Sequence, residues 1–376
     1  MKKSYIYILI IVLVITLVIV NQKKNSKTFV VDGVRYSTSL DGNSVDSFPS
    51  KGDYEVEVNC TNANGSWNYS KWVARINNIT GKVSCNISFT SKTPSSISDY
   101  IKSLSGTEQG TGQVVNENGY RYEGKNPNNY IYFNDELWRI IGVFDSSSHG
   151  KTGEYLTKII RNDSLGGYTW DKSNKNNWST SSLYNLLNTN YYNATDGTSS
   201  GNCYQYSTSI TSNCDYTETG LQSEYRSMVE NVTWYLGGNG SMSFTAEASY
   251  TGERNSTSVY SGNTASITGY IGLMYASDYG YSVLSSSCAR TTNLNSYNTS
   301  ACGGSSWLKK ESYEWTVTHC SPSSYWSFLL INSADLIVAN ANFGCATRPV
   351  LYLKSTVQVY AGDGSINKPY QIKLAS

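Results

Sequence analysis

The first segment of the chain is its most continuous apolar stretch. Residues 5–20 are apolar or aromatic except for Thr16, with two lysines before them and three lysines shortly after. At about 1.5 Å of helix rise per residue, the run is near the lower limit for crossing a bilayer. The run ends at Leu17–Gln22 without small residues at the positions that signal peptidase needs. The pattern indicates an uncleaved signal anchor and transmembrane helix over 1–27, with an unusual signal peptide as the alternative.

Residues 28–93 alternate short β-like runs with turns. The runs are Phe29–Tyr36, Tyr54–Asn59, Lys71–Asn77 and Val83–Thr90. Pairs such as Asp41-Gly42 mark turns between them, and Val56, Val58 and Cys60 share one strand face. This pattern predicts a small all-β, Ig-like sandwich.

The segment 94–118 is expected to be a helical linker. Ile97, Tyr100, Ile101 and Leu104 follow the i, i+3, i+4, i+7 spacing of an amphipathic helix, which the preceding serines can cap. The stretch that follows, from Gly106, is typical of a loop.

Residues 119–376 carry strand and helix patterns together. Tyr130–Phe144 predicts a hairpin that turns at Asn134–Glu136. Helices are predicted at Leu183–Asn188, capped by Ser179 or Thr180, and at Ser223–Leu236. The remaining predicted strands are Tyr155–Arg161, Gly269–Tyr275, Tyr313–Thr318, Tyr325–Ile331, Leu336–Ala341 and Arg348–Leu353. A β-rich domain with a few helices and long loops is typical of the α+β class.

Composition narrows the classes of function. The 376 residues carry a net charge of +1, and 57 serines, 37 asparagines and 32 tyrosines make up a third of the chain. Nucleic-acid binding is not expected, because it needs a concentrated basic surface. A surface rich in Tyr, Ser and Asn resembles a binding paratope, although an ordinary extracellular β-protein can share this composition.

The cysteines indicate an oxidising compartment. The chain has eight, none in a Cys-x-x-Cys pair, and pairing in sequential order gives Cys60–Cys85, Cys203–Cys214, Cys288–Cys302 and Cys320–Cys345. Free buried thiols are the alternative. Four disulfides would place the body outside the cell and the N-terminus inside.

No motif for catalysis, a cofactor or a metal site is present. Only two histidines occur, and the segment around His149 is typical of an exposed turn. His319 adjoins Cys320, but a loop histidine beside a disulfide is favoured over a reactive dyad. Arg139 and Arg348 lie in apolar strings, where a buried arginine bound to a carboxylate or carbonyls is favoured over a ligand contact.

The order of strings in the second domain carries a resemblance. The strings are Glu136–Gly142, Trp178–Asn193, Ile271–Tyr275, Trp315-Thr316 and Arg348–Leu353. They resemble an uncharacterised group of surface proteins from gut Firmicutes, whose body is similar to the C-type-lectin-like fold shared with formylglycine-generating enzymes. The resemblance covers roughly residues 119–353 and implies a fold, not an activity. The copper-binding cysteine pair of those enzymes and the calcium-binding strings of sugar-binding lectins have no counterpart here.

A candidate ligand surface lies near the end of the chain. Some proteins with this fold are diversified by retroelements at exposed residues of a constant scaffold, and the alternating segment between Trp315 and Arg348 fits such a role. An ordinary core hairpin is the alternative. The candidate ligand-binding residues are Tyr325, Trp326, Ser327, Leu329, Asn332, Asp335, Asn340 and Asn342.

The sequence therefore predicts a single-pass surface protein of the cell membrane, with the body extracellular. It is expected to bind an extracellular protein or glycan without catalysis and without a cofactor. The alternatives are a formylglycine-generating-like oxidase that uses Cys320 and Cys345, and a structural envelope protein.

Overall fold

The computed structural model describes residues 17–19, 29–31, 34–194, 199–206, 209–299, 301–310 and 312–375. The chain is about 40% strand and 15% helix, which agrees with the expected α+β class or with a mainly-β protein. It forms two compact units, Met1–Pro94 and Ser95–Ser376. The described residues include no helix with the length and apolar character needed to span a bilayer.

The described residues of the first unit form strands and no helix. They are β1 (Leu17–Ile19), β2 (Phe29–Val31), β3 (Val34–Leu40), β4 (Asn43–Val45), β5 (Tyr54–Thr61), β6 (Asn64–Asn68), β7 (Val73–Asn77) and β8 (Ser84–Ser91). One sheet has the order β1-β7-β6, and the other has the order β2-β3-β8-β5, with β4 on β3. The predicted signal anchor, 1–27, lies outside the described residues apart from Leu17–Ile19, which form the strand β1 paired with β7 and not the predicted helix.

Both sheets of this unit contribute to one aromatic core. Phe89 of β8 and Ile76 of β7 are buried in the same cluster, and the Trp67 ring meets the Phe89 ring edge-on at 5.1 Å. Cys60 and Cys85 are direct cross-strand partners on β5 and β8, and they form the predicted disulfide. A core of this size is modest, so the cross-link contributes a large share of the unit's stability.

The second unit contains the remaining strands and the helices. Its strands are β9 (Ser95–Ser96), β10 (Glu108–Gln109), β11 (Thr111–Asn116), β12 (Tyr120–Asn126), β13 (Tyr130–Phe133), β14 (Glu136–Phe144), β15 (Leu156–Arg161), β16 (Gly167–Thr169), β17 (Ser200–Tyr206), β18 (Ser209–Asp215), β19 (Val232–Tyr235), β20 (Ser266–Gly269), β21 (Ile271–Gly272), β22 (Glu314–His319), β23 (Trp326–Leu330), β24 (Leu336–Asn340), β25 (Gly344–Ala346), β26 (Val350–Leu353), β27 (Val357–Ala361) and β28 (Gln371–Leu374). Its α-helices are α1 (Ile97–Ser103), α2 (Ser146–His149), α3 (Ser182–Asn185), α4 (Ser223–Arg226), α5 (Ala246–Arg254) and α6 (Ala276–Gly280). A π-helical segment, Leu186–Tyr191, continues α3, and 3₁₀ turns cover Trp178–Thr180, Leu294–Ser296 and Gly303–Ser305.

Two sheets organise this unit. The larger has the order β10-β11-β12-β14-β15-β26-β21, with β13 on β14, and the second has the order β16-β25-β22-β23-β24. The predicted hairpin forms between β13 and β14. Asn134 and Asp135 both have positive φ at its turn, a conformation that asparagine and aspartate tolerate better than most residues.

Two helix predictions had different outcomes. The helix near residue 97 forms as α1, with Ser96 as its N-cap, and buries Ile97 and Ile101 in the core of the second unit. The segment expected to be a linker therefore contributes core residues and the strands β10 and β11. The predicted helix Ser223–Leu236 is wrong: it is helical only over α4, and Val232–Tyr235 forms a strand that pairs with β20. These β-branched and aromatic residues alternate in burial, as strand residues do.

A charged network is buried within the second unit. Asp278 accepts hydrogen bonds from Arg121 (3.1 Å) and from Lys158, and all three side chains are 1% exposed. Burial alone would raise the pKa of Asp278, but the two cations hold it below its usual value. Nearby, Glu253 accepts from Thr318 Oγ1 at 2.8 Å. The network joins β12, β15, β22, α5 and α6.

Candidate functional site

One aspartate fixes the loop that connects β16 to α3. Asp171 is 5% exposed. Its Oδ2 accepts the backbone N–H groups of Ser173 and Lys175, both at 3.0 Å. Its Oδ1 accepts the N–H of Ser182 at 3.1 Å. Because three backbone donors satisfy the carboxylate, Asp171 stabilises this conformation of the loop.

The same loop holds the chain that leads into β23. Asn176 is buried, and its amide nitrogen lies 3.2, 2.7 and 2.9 Å from the carbonyl oxygens of Cys320, Ser323 and Trp326. Its oxygen accepts from the Asn263 amide at 2.9 Å. This side chain therefore helps to fix the backbone path of residues 320–326.

A polar cleft opens beside this loop. Its volume is about 270 Å³. We call it the amide cleft, and its lining includes Asp171, Lys172, Ser182, Asn185, Asn202 and Tyr204. The Lys172 ammonium lies 5.0 Å from the centre of the Tyr204 ring and donates to its hydroxyl at 3.2 Å. Amides, hydroxyls and an aromatic ring are the groups that recognise polar ligands without relying on charge.

The predicted C-terminal hairpin, β23 and β24, forms as expected, but its candidate residues do not share one surface. Ser327 is 0% exposed and Leu329 is 1% exposed, so neither can contact a surface ligand. The physical reason is that β23 lies between β22 and β24, and a central strand of a packed sheet can be covered on both faces.

The other candidates divide between the two ends of the hairpin. Tyr325 is 40% exposed and packs edge-on against Trp326. The exposed Asn340 is the register partner of Trp326. Asn342 donates its backbone N–H to Asn174 Oδ1 at 3.3 Å, next to the loop that borders the amide cleft. These four candidates therefore gather at the cleft end.

Asn332 and Asp335 lie at the opposite end of the hairpin, in the turn between β23 and β24. Asn332 is exposed. Asp335 accepts the backbone N–H of Asn298 at 2.8 Å, which holds the turn to a neighbouring loop. The structure therefore does not bring these two residues to the amide cleft.

Three of the four predicted disulfides form: Cys60–Cys85, Cys203–Cys214 and Cys288–Cys302. The fourth is wrong, because Cys320 and Cys345 are free and buried. The two cysteines lie near opposite ends of β23. Cys345 precedes Ala346, which pairs with Glu314, and Glu314 pairs in turn with Leu330. The backbone N–H of Cys320 donates to the carbonyl of Trp326. Leu330 and Trp326 are four residues apart on β23, which corresponds to about 13 Å at ~3.3 Å per residue. A disulfide needs the two Cα atoms to lie within about 7 Å of each other.

Neither thiol has the surroundings of a reactive group. Burial raises the pKa of Cys320, and burial followed by the nearby Glu314 carboxylate raises the pKa of Cys345 to about 12. His319 is also buried, which lowers its pKa to about 4. Within the described residues its Nε2 has no hydrogen-bond partner, the Cys320 thiol included.

The other residues considered for chemistry have structural roles. Arg139 donates to Asn129 Oδ1 at 2.7 Å, and Arg348 donates to Glu314 Oε1 at 2.7 Å, as the structural interpretation of both arginines predicted. The exposed turn expected around His149 is wrong. His149 is 0% exposed at the end of α2, with Nε2 3.0 Å from the carbonyl oxygen of Phe144, and burial lowers its pKa.

No pattern in the sequence indicates the amide cleft. Its lining comes from three segments, near residues 171–173, 180–190 and 202–204, and no short motif connects them. Comparison with models of protein families, with curated protein sequences and with solved structures finds no match to this chain.

Proposed function

We propose that this chain is a membrane-anchored surface protein that binds an uncharged polar ligand, a glycan, in the amide cleft. The observation that carries the proposal is that the loop of Asp171 borders the cleft and also contacts the cleft end of the hairpin. Amide and hydroxyl groups dominate the lining of the cleft, and Tyr204 adds an aromatic ring. Such groups can hydrogen-bond sugar hydroxyls and pack against sugar rings.

Location outside the cell is part of the proposal. The three disulfides support an oxidising compartment. The lysine-flanked apolar segment 1–27 supports attachment to the membrane. The disulfides outside the membrane support an N-terminus in the cytoplasm. The distance between Cys320 and Cys345 gives no support to an oxidase that uses both thiols.

A C-type-lectin-like fold for the second unit, and an Ig-like fold for the first, also belong to the proposal. Three strings that carry the sequence resemblance, Glu136–Gly142, Ile271–Tyr275 and Arg348–Leu353, contribute β14, β21 and β26 to one sheet. This placement supports a shared scaffold beneath a variable surface.

The binding proposal is tested with the full-length chain, kept in detergent, on an array of neutral glycans. The double variant Asn185→Ala/Asn202→Ala removes two exposed cleft amides and is expected to weaken binding at least tenfold. Asn332→Ala, at the far end of the hairpin, is the matched control and should bind as the parent chain does. Raising the salt concentration should change the affinity little, because the ligand carries no charge. Equal losses in both variants, or no neutral glycan bound at all, would reject this site.

Retroelement diversification of the hairpin is a separate proposal. The structure restricts it to exposed positions, such as Tyr325, Asn332, Ile337 and Asn340. The gene's neighbourhood should then contain a reverse transcriptase and a template repeat that differs from the gene at adenines. A neighbourhood lacking both would exclude this mechanism.

A further inference from the structure

Three cationic side chains lie close together between the end of β15 and the start of β22. Arg139 donates to amide and carbonyl oxygens and not to a carboxylate. Arg348 donates to the buried Glu314 carboxylate at 2.7 Å. The third cation, Lys310, is half-buried, and its hydrogen-bond partner is an amide oxygen, Asn162 Oδ1 at 3.3 Å.

The positive charge of Lys310 is disfavoured in this cluster. Burial, followed by the two arginines, lowers the pKa of Lys310 to about 8. Glu314 and the exposed Asp163 act in the opposite direction and do not restore the usual value. Glu311, next to Lys310, lies outside the described residues. Close to neutral pH this lysine is therefore partly an uncharged amine, which is the nucleophilic form.

The side-chain amide of Asn162 lies between Lys310 and Asp163. Its Oδ1 accepts from Lys310 Nζ, and its Nδ2 donates to Asp163 Oδ1 at 3.0 Å. The backbone holds both ends: the N–H of Asn162 donates to the Leu137 carbonyl at 3.1 Å. The carbonyl of Leu308, two residues before Lys310, accepts from a buried guanidinium at 2.8 Å. An amine, a carboxamide and a carboxylate therefore form one hydrogen-bonded chain.

We propose that Lys310 and Asn162 form an intramolecular amide bond, which links the end of β15 to the segment before β22. The Lys310 amine attacks Asn162 Cγ, a C–N bond forms, the Cγ–Nδ2 bond breaks and ammonia leaves. The Asp163 carboxylate takes the proton that Nζ loses and delivers it to the departing Nδ2. No group is oxidised or reduced, and no further reactant takes part.

Electrostatics favour the product over the starting pair. The bond replaces a cation whose charge the two arginines disfavour by a neutral amide. Their positive field also stabilises the negative charge that develops on Asn162 Oδ1 during the attack. Folding holds the two groups in contact, so the reaction does not depend on a chance encounter between them.

The bond joins residues that are 148 positions apart in the chain. The three disulfides join cysteines only 25, 11 and 14 positions apart, so the amide restricts the unfolded chain more than any of them does. It encloses the segments that line the amide cleft, and a reductant does not cleave it. The proposal does not depend on the function proposed for that cleft.

Intact-mass measurement of the full-length chain in detergent tests the proposal without a ligand. The chain should weigh about 17 Da less than its sequence because ammonia is lost, in addition to about 6 Da for the hydrogens lost in three disulfides. Lys310→Arg should abolish the loss of ammonia. Lys309→Arg, at the adjacent half-buried lysine, is the matched control and should retain it.

Peptide mapping of the parent chain locates the bond and does not depend on any variant folding. Digestion after unfolding should give one branched peptide that contains both Asn162 and Lys310, and an acetylating reagent should modify Lys309 but not Lys310. Asp163→Asn should slow formation of the bond at least tenfold, because the proton relay is lost. An unchanged mass, separate peptides with an acetylated Lys310, or equally fast bond formation in Asp163→Asn would each overturn the proposal.

Discussion

Removing the Cys60–Cys85 disulfide should destabilise the first unit strongly. The cysteines are 25 residues apart in the chain, and the chain-entropy description assigns a loop of that length about 3.5 kcal/mol. Replacing both residues, as Cys60→Ala/Cys85→Ala, leaves no free thiol to complicate the result. At about 1.4 kcal/mol per factor of ten, the opening equilibrium of β5 and β8 should rise about 300-fold.

Native-state hydrogen exchange on the full-length chain measures this opening directly. Peptides covering β5 and β8 report on the first unit alone, whereas tryptophan fluorescence would be dominated by the many tryptophans of the second unit. The matched control is Asn59→Ala/Asn86→Ala, which replaces the adjacent cross-strand pair on the same two strands. Both asparagines are exposed, so this variant should change exchange less than tenfold. A similar effect in both variants, or less than tenfold in the cysteine variant, would refute the loop-entropy reasoning.

Three further predictions concern buried groups of the second unit. Asp278→Asn leaves two buried cations without their carboxylate and should cost about 3–5 kcal/mol in urea unfolding, far more than Asp99→Asn at the surface. Burial raises the pKa of Glu123 to about 8, above its value in the unfolded chain, so between these two values the folded state binds a proton that the unfolded state releases. The free energy of unfolding should therefore fall as pH rises from about 4.5 to 8, and Glu123→Gln should flatten this dependence. A thiol reagent should label no cysteine in the folded chain. After unfolding without reductant it should label two, Cys320 and Cys345, and labelling of none would indicate a fourth disulfide.

The sequence predicts strands better than it predicts their surroundings. The hairpin strands near 326–330 and 336–340 follow from their apolar and β-branched residues. Nothing local shows that β23 lies centrally, so Ser327 and Leu329 were expected at the surface although they are buried. Burial depends on strand order, which is set by pairings between distant residues.

Helices show the same limit. Val232–Tyr235 carries an apolar pattern that fits a helix, but its partner β20 is more than 30 residues further on and determines a strand. The helix α5 escaped prediction because its nine residues are mostly polar, and Thr245 at its N-cap is the main local signal. The amide cleft had no local signal, because distant segments assemble it.

The buried Asn176 has a consequence for how this surface can evolve. The path of residues 320–326 is held by hydrogen bonds from a side chain outside that loop to backbone carbonyls inside it. Every amino acid has that carbonyl, and the other side-chain anchor is Ser323 Oγ, which accepts the backbone N–H groups of Tyr325 and Trp326 at 3.2 and 3.1 Å. The anchoring therefore depends on Asn176 and Ser323 but not on the side chain at position 325. Tyr325 can therefore be exchanged for other residues without loss of the loop's shape. Mutational tolerance at position 325 is thus provided by two polar side chains, Asn176 outside the loop and Ser323 within it.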